Sequence, residues 1–429
     1  MLDLRLIRER PEEIKAAIRR KGADPALVDA VLEADRRRRD ALSRVEALRA
    51  EQNRASQEIP RLAGREREAR ITEMKRLATD LRATEPVLAA ADAGLDAALR
   101  RLPNPPHPAV PDGGPESSVT LRTYGEPPRP PFEMRDHVEL GTRLDMLDME
   151  RAAKISGSRF TLLRRDGALL ELALARFAVD RLVGRGFVPV IPPVLVKRES
   201  LLGTMGGDGL DEQMVYRIEG EDLALVGTSE VALGAMLGGE VLDEDDLPIR
   251  LVGVSTCFRR EAGTHGKDTR GMFRVHQFDK VEMFSFCHPE QSWDEHARLV
   301  EIQESLWQEL GLPYRVIDIA AGDLGDPAAR KYDIETWMPG RGGYAETQSC
   351  SNCTDFQARR LNVRFRPRGR RGLDYVHTLN GTAVAAPRTI IAIMENFQRA
   401  DGGIRIPQVL SPYMGGRTEI GPPQEPARP

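Results

Sequence analysis

The chain has 429 residues, 41% of them hydrophobic and 30% charged, with 62 basic and 66 acidic side chains and a formal net charge of −4. That length sets two or three domains as the expectation, and the near balance of charge leaves any nucleic-acid contact to local patches. Four cysteines are too few for a disulfide framework, no run of about 18 apolar residues can span a bilayer, and the acid-bearing Met1–Glu13 is unlike a secretory or transit peptide; a cytoplasmic protein with no membrane partner is expected.

Residues 1–102 are rich in Ala, Arg, Leu and Glu. A seam beginning at Leu27 steps alternately by four and three through Val31, Ala34, Arg38, Ala41, Val45, Leu48, Gln52 and Ala55 to Ile59. A second runs from Ile71 through Met74, Ala78, Leu81, Glu85, Leu88, Asp92 and Leu95 to Leu99. Both are heptad patterns, weakened at Arg38, Gln52, Glu85 and Asp92, with Pro60 and Gly64 marking a turn between them. The spacing predicts an N-terminal antiparallel α-helical coiled-coil arm, about 50 Å long at ~1.5 Å per residue. Pro86 lies inside the second seam and predicts a bend, with the seam resuming at Leu88. An arm of this kind buries little beyond its own seam, so it reaches a partner or packs on another subunit.

Residues 103–132 read as a hinge and linker, since Leu102–Pro111 holds five prolines in ten residues. Residues 133–420 mix helical stretches with β-branched and aromatic runs, among them Ile249–Phe258 and Gln277–Phe286, and predict an α+β domain that holds the chemistry. Residues 421–429, rich in proline and including Gly421, Glu425 and Arg428, predict a disordered tail.

Four polar clusters fall in that domain. Cys257–Glu282 has two β-like flanks around a loop with Gly263, Gly266 and Gly271 among Arg259, Arg260, Lys267, Arg270 and Arg274. A strand–loop–strand hairpin of this kind can grip an anion by bidentate guanidinium contacts, with Glu261 to accept from an exocyclic amine and Phe278 to face a base. A solvated hairpin with surface ion pairs has the same composition. Gly343–Cys353 offers Glu346 and Ser349, two oxygen donors suited to a hard divalent ion. Its Cys350-x-x-Cys353 pair is half a zinc site with no second ligand pair at usable spacing, and reads as structural. In Leu379–Met394 a polar turn leads into an apolar helix headed by Arg388; a cation there opposes the helix dipole unless an anion is near. Leu225–Leu233 places Thr228 and Glu230 two apart in a segment read as extended, facing one side and suited to a small ligand with an amine.

Taken together and in this order, the clusters resemble the class II aminoacyl-tRNA synthetases, and specifically the seryl-tRNA synthetases of the bacterial type. Gly184–Pro193 resembles motif 1, Phe258–Glu261 through Phe278–Glu282 motif 2, and Asn380–Ile391 motif 3. Met1–Glu9, Glu150–Arg159, Tyr332–Met338, Val409–Met414 and the proline hinge match as well. The resemblance implies a class II antiparallel sheet flanked by helices, with ATP and L-serine as substrates and Mg2+ as cofactor. It also implies tRNA(Ser) as a partner, tRNA(Sec) as a further candidate, and a homodimer formed in part through motif 1. For ATP it implies Arg259, Arg260, Glu261, Arg274, Val275, Phe278, Glu346, Thr347, Gln348, Ser349 and Arg388. Arg259, Arg388 and Glu346 would carry catalysis, and Glu346 with Ser349 would hold the metal. For serine it implies Thr228, Ser229, Glu230, Arg259, Glu282, Asn380 and Thr382.

A pocket built to hydrogen-bond a hydroxyl rejects alanine, by ~10⁴-fold in comparable sites. The basic run Arg36–Arg39, with Arg44, Arg49, Arg54, Arg61, Arg65, Arg67 and Arg70, would meet the long variable arm of tRNA(Ser) through its phosphates. Four positions depart from the family pattern: Met205–Asp208, Ser229, Pro387 and Pro86. The rival readings are an armless ligase that loads amino acids onto carrier proteins, a specialised duplicate, and a non-catalytic RNA-binding relative.

Overall fold

A computed structural model describes residues 1–206, 214–262 and 270–422. Gly263, Gly266 and Lys267 of the expected anion-gripping loop, Gly207 and Asp208 of the departing stretch, and most of the expected tail lie outside the described residues. The chain forms two units, Met1–Pro105 and Pro106–Pro429.

The first unit is helical. Asp3 caps α1 (Leu4–Glu9) by accepting from the Arg5 N–H at 2.8 Å, and Pro11 opens α2 (Pro11–Arg20) at a position where its missing N–H costs nothing. The long helices are α3 (Ala26–Glu58) and α4 (Gly64–Arg100), joined by a 3-10 turn at Ile59–Arg61. Cross-helix pairs Arg38–Asp92 at 2.6 Å and Arg49–Glu85 at 2.8 Å run in opposite chain directions, as an antiparallel hairpin requires.

Every position of the first expected seam is buried or half-buried. The second differs from expectation: Glu85 and Asp92 are exposed, and the line of burial runs through Leu77, Thr84, Leu95 and Leu99. Leu81 and Leu88 flank it, so three of the four residues that weaken the heptads are edge residues forming ion pairs across the hairpin. Helix α4 runs on through Pro86 without a break. Near the base, buried Asp35 receives Arg8 Nε at 2.8 Å and Arg39 Nε at 3.1 Å, and the Arg8 hydrogen bond holds its carboxyl below the usual range.

The second unit is built on one eight-stranded sheet. Its strands are β1 (Val119–Tyr124), β2 (Val188–Val190), β3 (Ile249–Phe258), β4 (Gln277–Cys287), β5 (Tyr314–Asp318), β6 (Arg330–Met338), β7 (Gly343–Asn352) and β8 (His377–Ala385). They lie in the order β1-β5-β6-β7-β8-β4-β3-β2, antiparallel throughout except for the β2–β3 pair. Residues 103–132 therefore do more than link: β1 is an edge strand, and Val110 packs with Ile317, Ile319 and Ala321. The prolines forbid a helix there, but the remaining amides still bond to the sheet's surroundings, as His107 N–H does to the Ala329 carbonyl at 2.8 Å.

Helices α5 (Arg165–Val183), α6 (Ser292–Leu310) and α7 (Ala386–Asn396) share one apolar core with the sheet, which includes Phe177, Trp307, Ile390 and Met338. On α6, fully buried Gln303 donates to the carbonyls of Ser349 at 2.9 Å and Thr382 at 2.8 Å. That ties together the two central strands that carry the site.

Candidate active site

Antiparallel pairing of β3 with β4 runs to Phe258 opposite Gln277, so the polar cluster lies at the open end of a hairpin. Period-two alternation puts Phe278, Lys280 and Glu282 of β4 on one face. Arg259 follows β3 at once: its N–H donates to the His276 carbonyl at 2.9 Å and its Nε to the Gly227 carbonyl at 3.1 Å. Its guanidinium lies 5.3 Å from the Phe278 ring centroid, within cation–π range. Glu261 adopts φ +49°, an uncommon left-handed backbone for glutamate, and its carboxylate is 3.5 Å from Arg274.

Two β-bulges decide which side chains reach the cavity. In a regular strand Glu346 and Ser349, three apart, would face opposite sides. The β6–β7 register slips between Glu346 and Gln348, which absorbs Thr347 and returns Ser349 to the side of Glu346. A second slip, between Thr382 and Val384 against β4, does the same for Thr382 and Ala385. These four residues line a cavity of about 540 Å³, open solvent included, together with Arg259, Glu261, Arg274, Val275, Phe278 and Arg388.

Arg388 stands in the first turn of α7, where its charge opposes the dipole. Its Nη1 donates to the Glu346 carbonyl at 2.8 Å, lies 3.4 Å from the Glu346 carboxylate, and its guanidinium covers the Phe273 ring at 4.6 Å. Desolvation raises the Glu346 carboxyl, but Arg388, Lys331 and Arg259 outweigh it and hold the group below the usual range.

A second cavity, about 1340 Å³ including open solvent, is lined by Thr228, Glu230, Glu282 and Asn380. Arg259, Lys280 and Ser349 line both cavities and so form their common wall. Thr228 and Glu230 do face one space, though not through an extended strand: Ser229 is helical, and a short helix Glu230–Ala235 begins there. Glu230 Oε1 accepts from Gln357 Nε2 at 2.7 Å and Asn380 Nδ2 at 3.0 Å. Desolvation and the neighbouring Glu282 push the Glu230 carboxyl up to about 7. Burial also raises that of Glu282, whose Oε2 is 2.5 Å from Lys280 Nζ. The same ammonium donates to Thr228 Oγ1 at 3.2 Å.

Four expected residues are turned elsewhere. Gln348 is buried, with its amide donating to the Ala383 carbonyl at 2.7 Å, because the bulge that aims Ser349 outward aims Gln348 into the sheet. The Thr347 hydroxyl pairs with Thr336 Oγ1 at 2.6 Å, although the residue lines the first cavity. Ser229 is fully buried against Gly253, where a Cβ would approach its Oγ to 2.8 Å. Arg260 lies with Tyr216 and Arg217 in a separate hollow. Conversely, Lys280, Phe273 and Gln357 escaped the sequence reading. The period-two run from Phe278 to Glu282 points to Lys280; no local signal points to Gln357. Cys350 and Cys353 are buried free thiols.

Residues 1–106 match the family model of the seryl-tRNA synthetase N-terminal domain, and residues 214–397 that of the tRNA synthetase class II core domain (G, H, P, S and T). Over 425 residues the chain is 51% identical to a serine–tRNA ligase of Streptomyces coelicolor, covering 98% of this chain and 99% of that one. The chain belongs to the seryl-tRNA synthetase family. Solved relatives agree with that membership: a seryl-tRNA synthetase of Pyrococcus horikoshii complexed with ATP matches with TM-score 0.92 and 43% identity over 99% of this chain and 100% of that one. A cytoplasmic serine–tRNA ligase of Naegleria fowleri in complex with AMP follows, with TM-score 0.87 and 33% identity over 98% and 99% of the two chains. A prolyl-tRNA synthetase of Giardia lamblia, at 16% identity and TM-score 0.55, shares the fold. As a seryl-tRNA synthetase family member the protein is an aminoacyl-tRNA synthetase with the class II antiparallel sheet and a long helical arm, and the match runs through the arm that a carrier-loading ligase lacks.

Proposed function

We propose that the protein activates L-serine with ATP and transfers it to tRNA(Ser), with the first cavity taking the nucleotide and the second the amino acid. The observation that carries this reading is the shared wall: Arg259, Lys280 and Ser349 border both cavities, so an α-phosphate and a carboxylate can meet there. Arg259 holds the α-phosphate and neutralises charge as a serine carboxylate oxygen bonds to the α-phosphorus and pyrophosphate leaves in line. Glu261 accepts from the adenine amine beside Val275, Phe278 faces the base, and Arg274 and Arg388 grip the outer phosphates. Glu230, Glu282, Thr228 and Asn380 receive the ammonium and hydroxyl of serine, whereas Thr382, expected beside them, lines the first cavity. The terminal ribose hydroxyl of tRNA then attacks the acyl carbonyl and AMP departs.

Glu346 and Ser349 fit a magnesium ion: they are oxygen donors brought to one side by the bulge, and the carboxyl is held ionised. Held there, such an ion would offset the negative charge of the phosphates. On the arm, many of the arginines named above already pair with acids. Arg44, Arg54, Arg61, Arg65 and Arg67 are exposed and make no ion pair among the described residues, which suits them to phosphates of the variable arm. Leu172, Val183, Val188 and Ile191 of α5 and the motif 1 stretch are exposed large apolar side chains, Ile191 at 89%, and a homodimer would cover them. Work in the cytoplasm, and tRNA(Sec) as a further substrate, belong to the same proposal.

The test is serine-dependent exchange of pyrophosphate into ATP. Exchange is expected in the wild type, with losses of about 10²-fold or more in Arg259→Ala and Glu282→Ala. Equal exchange with alanine or glycine would instead favour a carrier-loading ligase.

A further inference from the structure

Behind the nucleotide cavity lies a carboxylate with no part in the steps above. Glu395, on α7 seven residues beyond Arg388, is 1% exposed. Its Oε1 accepts from the His137 N–H at 3.0 Å and lies 2.9 Å from His137 Nδ1, and its Oε2 accepts from the Gly340 N–H at 2.8 Å. Residue 340 must approach closely, since a Cβ there would come within 2.7 Å of Oε1.

The far side of the same imidazole faces motif 2. His137 Nε2 accepts from the Met272 N–H at 3.3 Å. A backbone amide can only donate, so Nε2 carries the lone pair and the ring proton sits on Nδ1, aimed at Glu395. Gly271, at φ +76°, meets the ring so closely that a Cβ would collide with Nε2. The residues that follow, Phe273 and Arg274, line the nucleotide cavity. Gly340 leads to Arg341, whose guanidinium covers the Phe273 ring at 4.4 Å while Arg388 covers it at 4.6 Å. Two lines thus run from one buried carboxylate to the same aromatic ring.

We propose that His137 is a positioning residue for ATP: held by Glu395 of the motif 3 helix, it fixes the Met272 amide and thereby the Phe273–Arg274 limb of motif 2. This rests on the first cavity being the ATP site. The imidazole lines neither of the two cavities, so its effect, passed through the Met272 amide, should appear in the affinity for nucleotide and not for serine.

The experiment compares His137→Asn with His137→Gln in the full-length protein, by pyrophosphate exchange at varied ATP and varied serine. Asparagine keeps a donor near Glu395 but has nothing at the ε position; glutamine has a carbonyl there that can accept from Met272. His137→Asn is expected to raise the KM for ATP about fivefold to tenfold, the effect of one hydrogen bond, with the KM for serine unchanged. His137→Gln should restore most of it. The role is overturned if the two variants share one KM for ATP, or if serine KM rises in parallel. Should His137→Asn fail to fold, Gly271→Ala takes its place: its methyl would overlap the ring at Nε2 and displace it from the Met272 N–H, and the same rise in ATP KM alone is expected. A wild type without serine-dependent exchange would defeat the functional reading and this role with it; normal wild-type exchange with indistinguishable variants would defeat this role alone.

Discussion

At the scale of single residues, the second cavity, proposed for serine, is an electrostatic arrangement with two carboxyls and a lysine. Glu230 is pushed up to about 7 by desolvation and by Glu282. Below that pH it is neutral and offers an ammonium ligand little; above it the carboxylate attracts the ligand. The KM for serine should therefore fall as pH rises from about 6 to 8 and level off beyond, by up to about tenfold per unit on the steep part. Glu230→Gln should give a raised KM with no such slope, as initial rates of exchange across that range would reveal; a slope retained in the variant would assign the titration elsewhere. Glu346 is held below the usual carboxylate range and stays ionised from about pH 6 to 8, so it adds no slope of its own. Residue identity was readable here, since Glu, Thr and Asn near a motif arginine announce a polar pocket. What escaped was Lys280, and Gln357, which reaches Glu230 from 127 residues away. No window of sequence contains that approach.

At the scale of elements, two bulges and one hairpin matter most. Each bulge converts a spacing of three into a shared face, which local alternation alone assigns wrongly. Period and register are separate properties, and only the first is written in consecutive residues. The arm teaches the same lesson. Its helices follow from heptads, but the second seam runs through Leu77 and Thr84 and not through Glu85, because the partner helix chooses which stripe to cover. Glu85 and Asp92, which look like flaws in a core, are ion-pair partners at its edge, worth about 0–1 kcal/mol each. The arginines that make no ion pair among the described residues carry the functional expectation. Replacing Arg44, Arg54, Arg61, Arg65 and Arg67 by alanine should leave pyrophosphate exchange at the wild-type level. It should lower tRNA charging by about tenfold or more and flatten its salt dependence, since each phosphate contact adds to that slope. Charging assays at two salt concentrations decide it, and undiminished charging would remove the arm from tRNA binding.

At the scale of the whole molecule, composition predicted several domains and a soluble charge balance, and the chain divides into two units near the predicted proline hinge. The boundary lies at Pro105/Pro106, earlier than the linker's expected end, because residues 106–132 are drawn onto the sheet by β1 and Val110. A run of prolines reports what the chain cannot form, not what it will lie against. The exposed apolar side chains of α5 and motif 1 give the last expectation. Ile191→Asp with Leu172→Asp should shift the protein from dimer to monomer by sedimentation velocity at micromolar concentration, since each charge would be buried in the proposed interface. An unchanged dimer would direct attention to another face.

The order of motifs, the helical arm and the clustered charge of the Cys257–Glu282 hairpin were legible from residues alone, because periodicity, glycine and proline placement, and clustered charge are local signals. Folding alone could supply the joined cavities, the bulges that turn Ser349 and Thr382 outward, the lysine on their common wall, and the buried glutamate behind them. These arise where strands distant in the chain come into register, and the free energy that selects one register is a property of the assembled sheet.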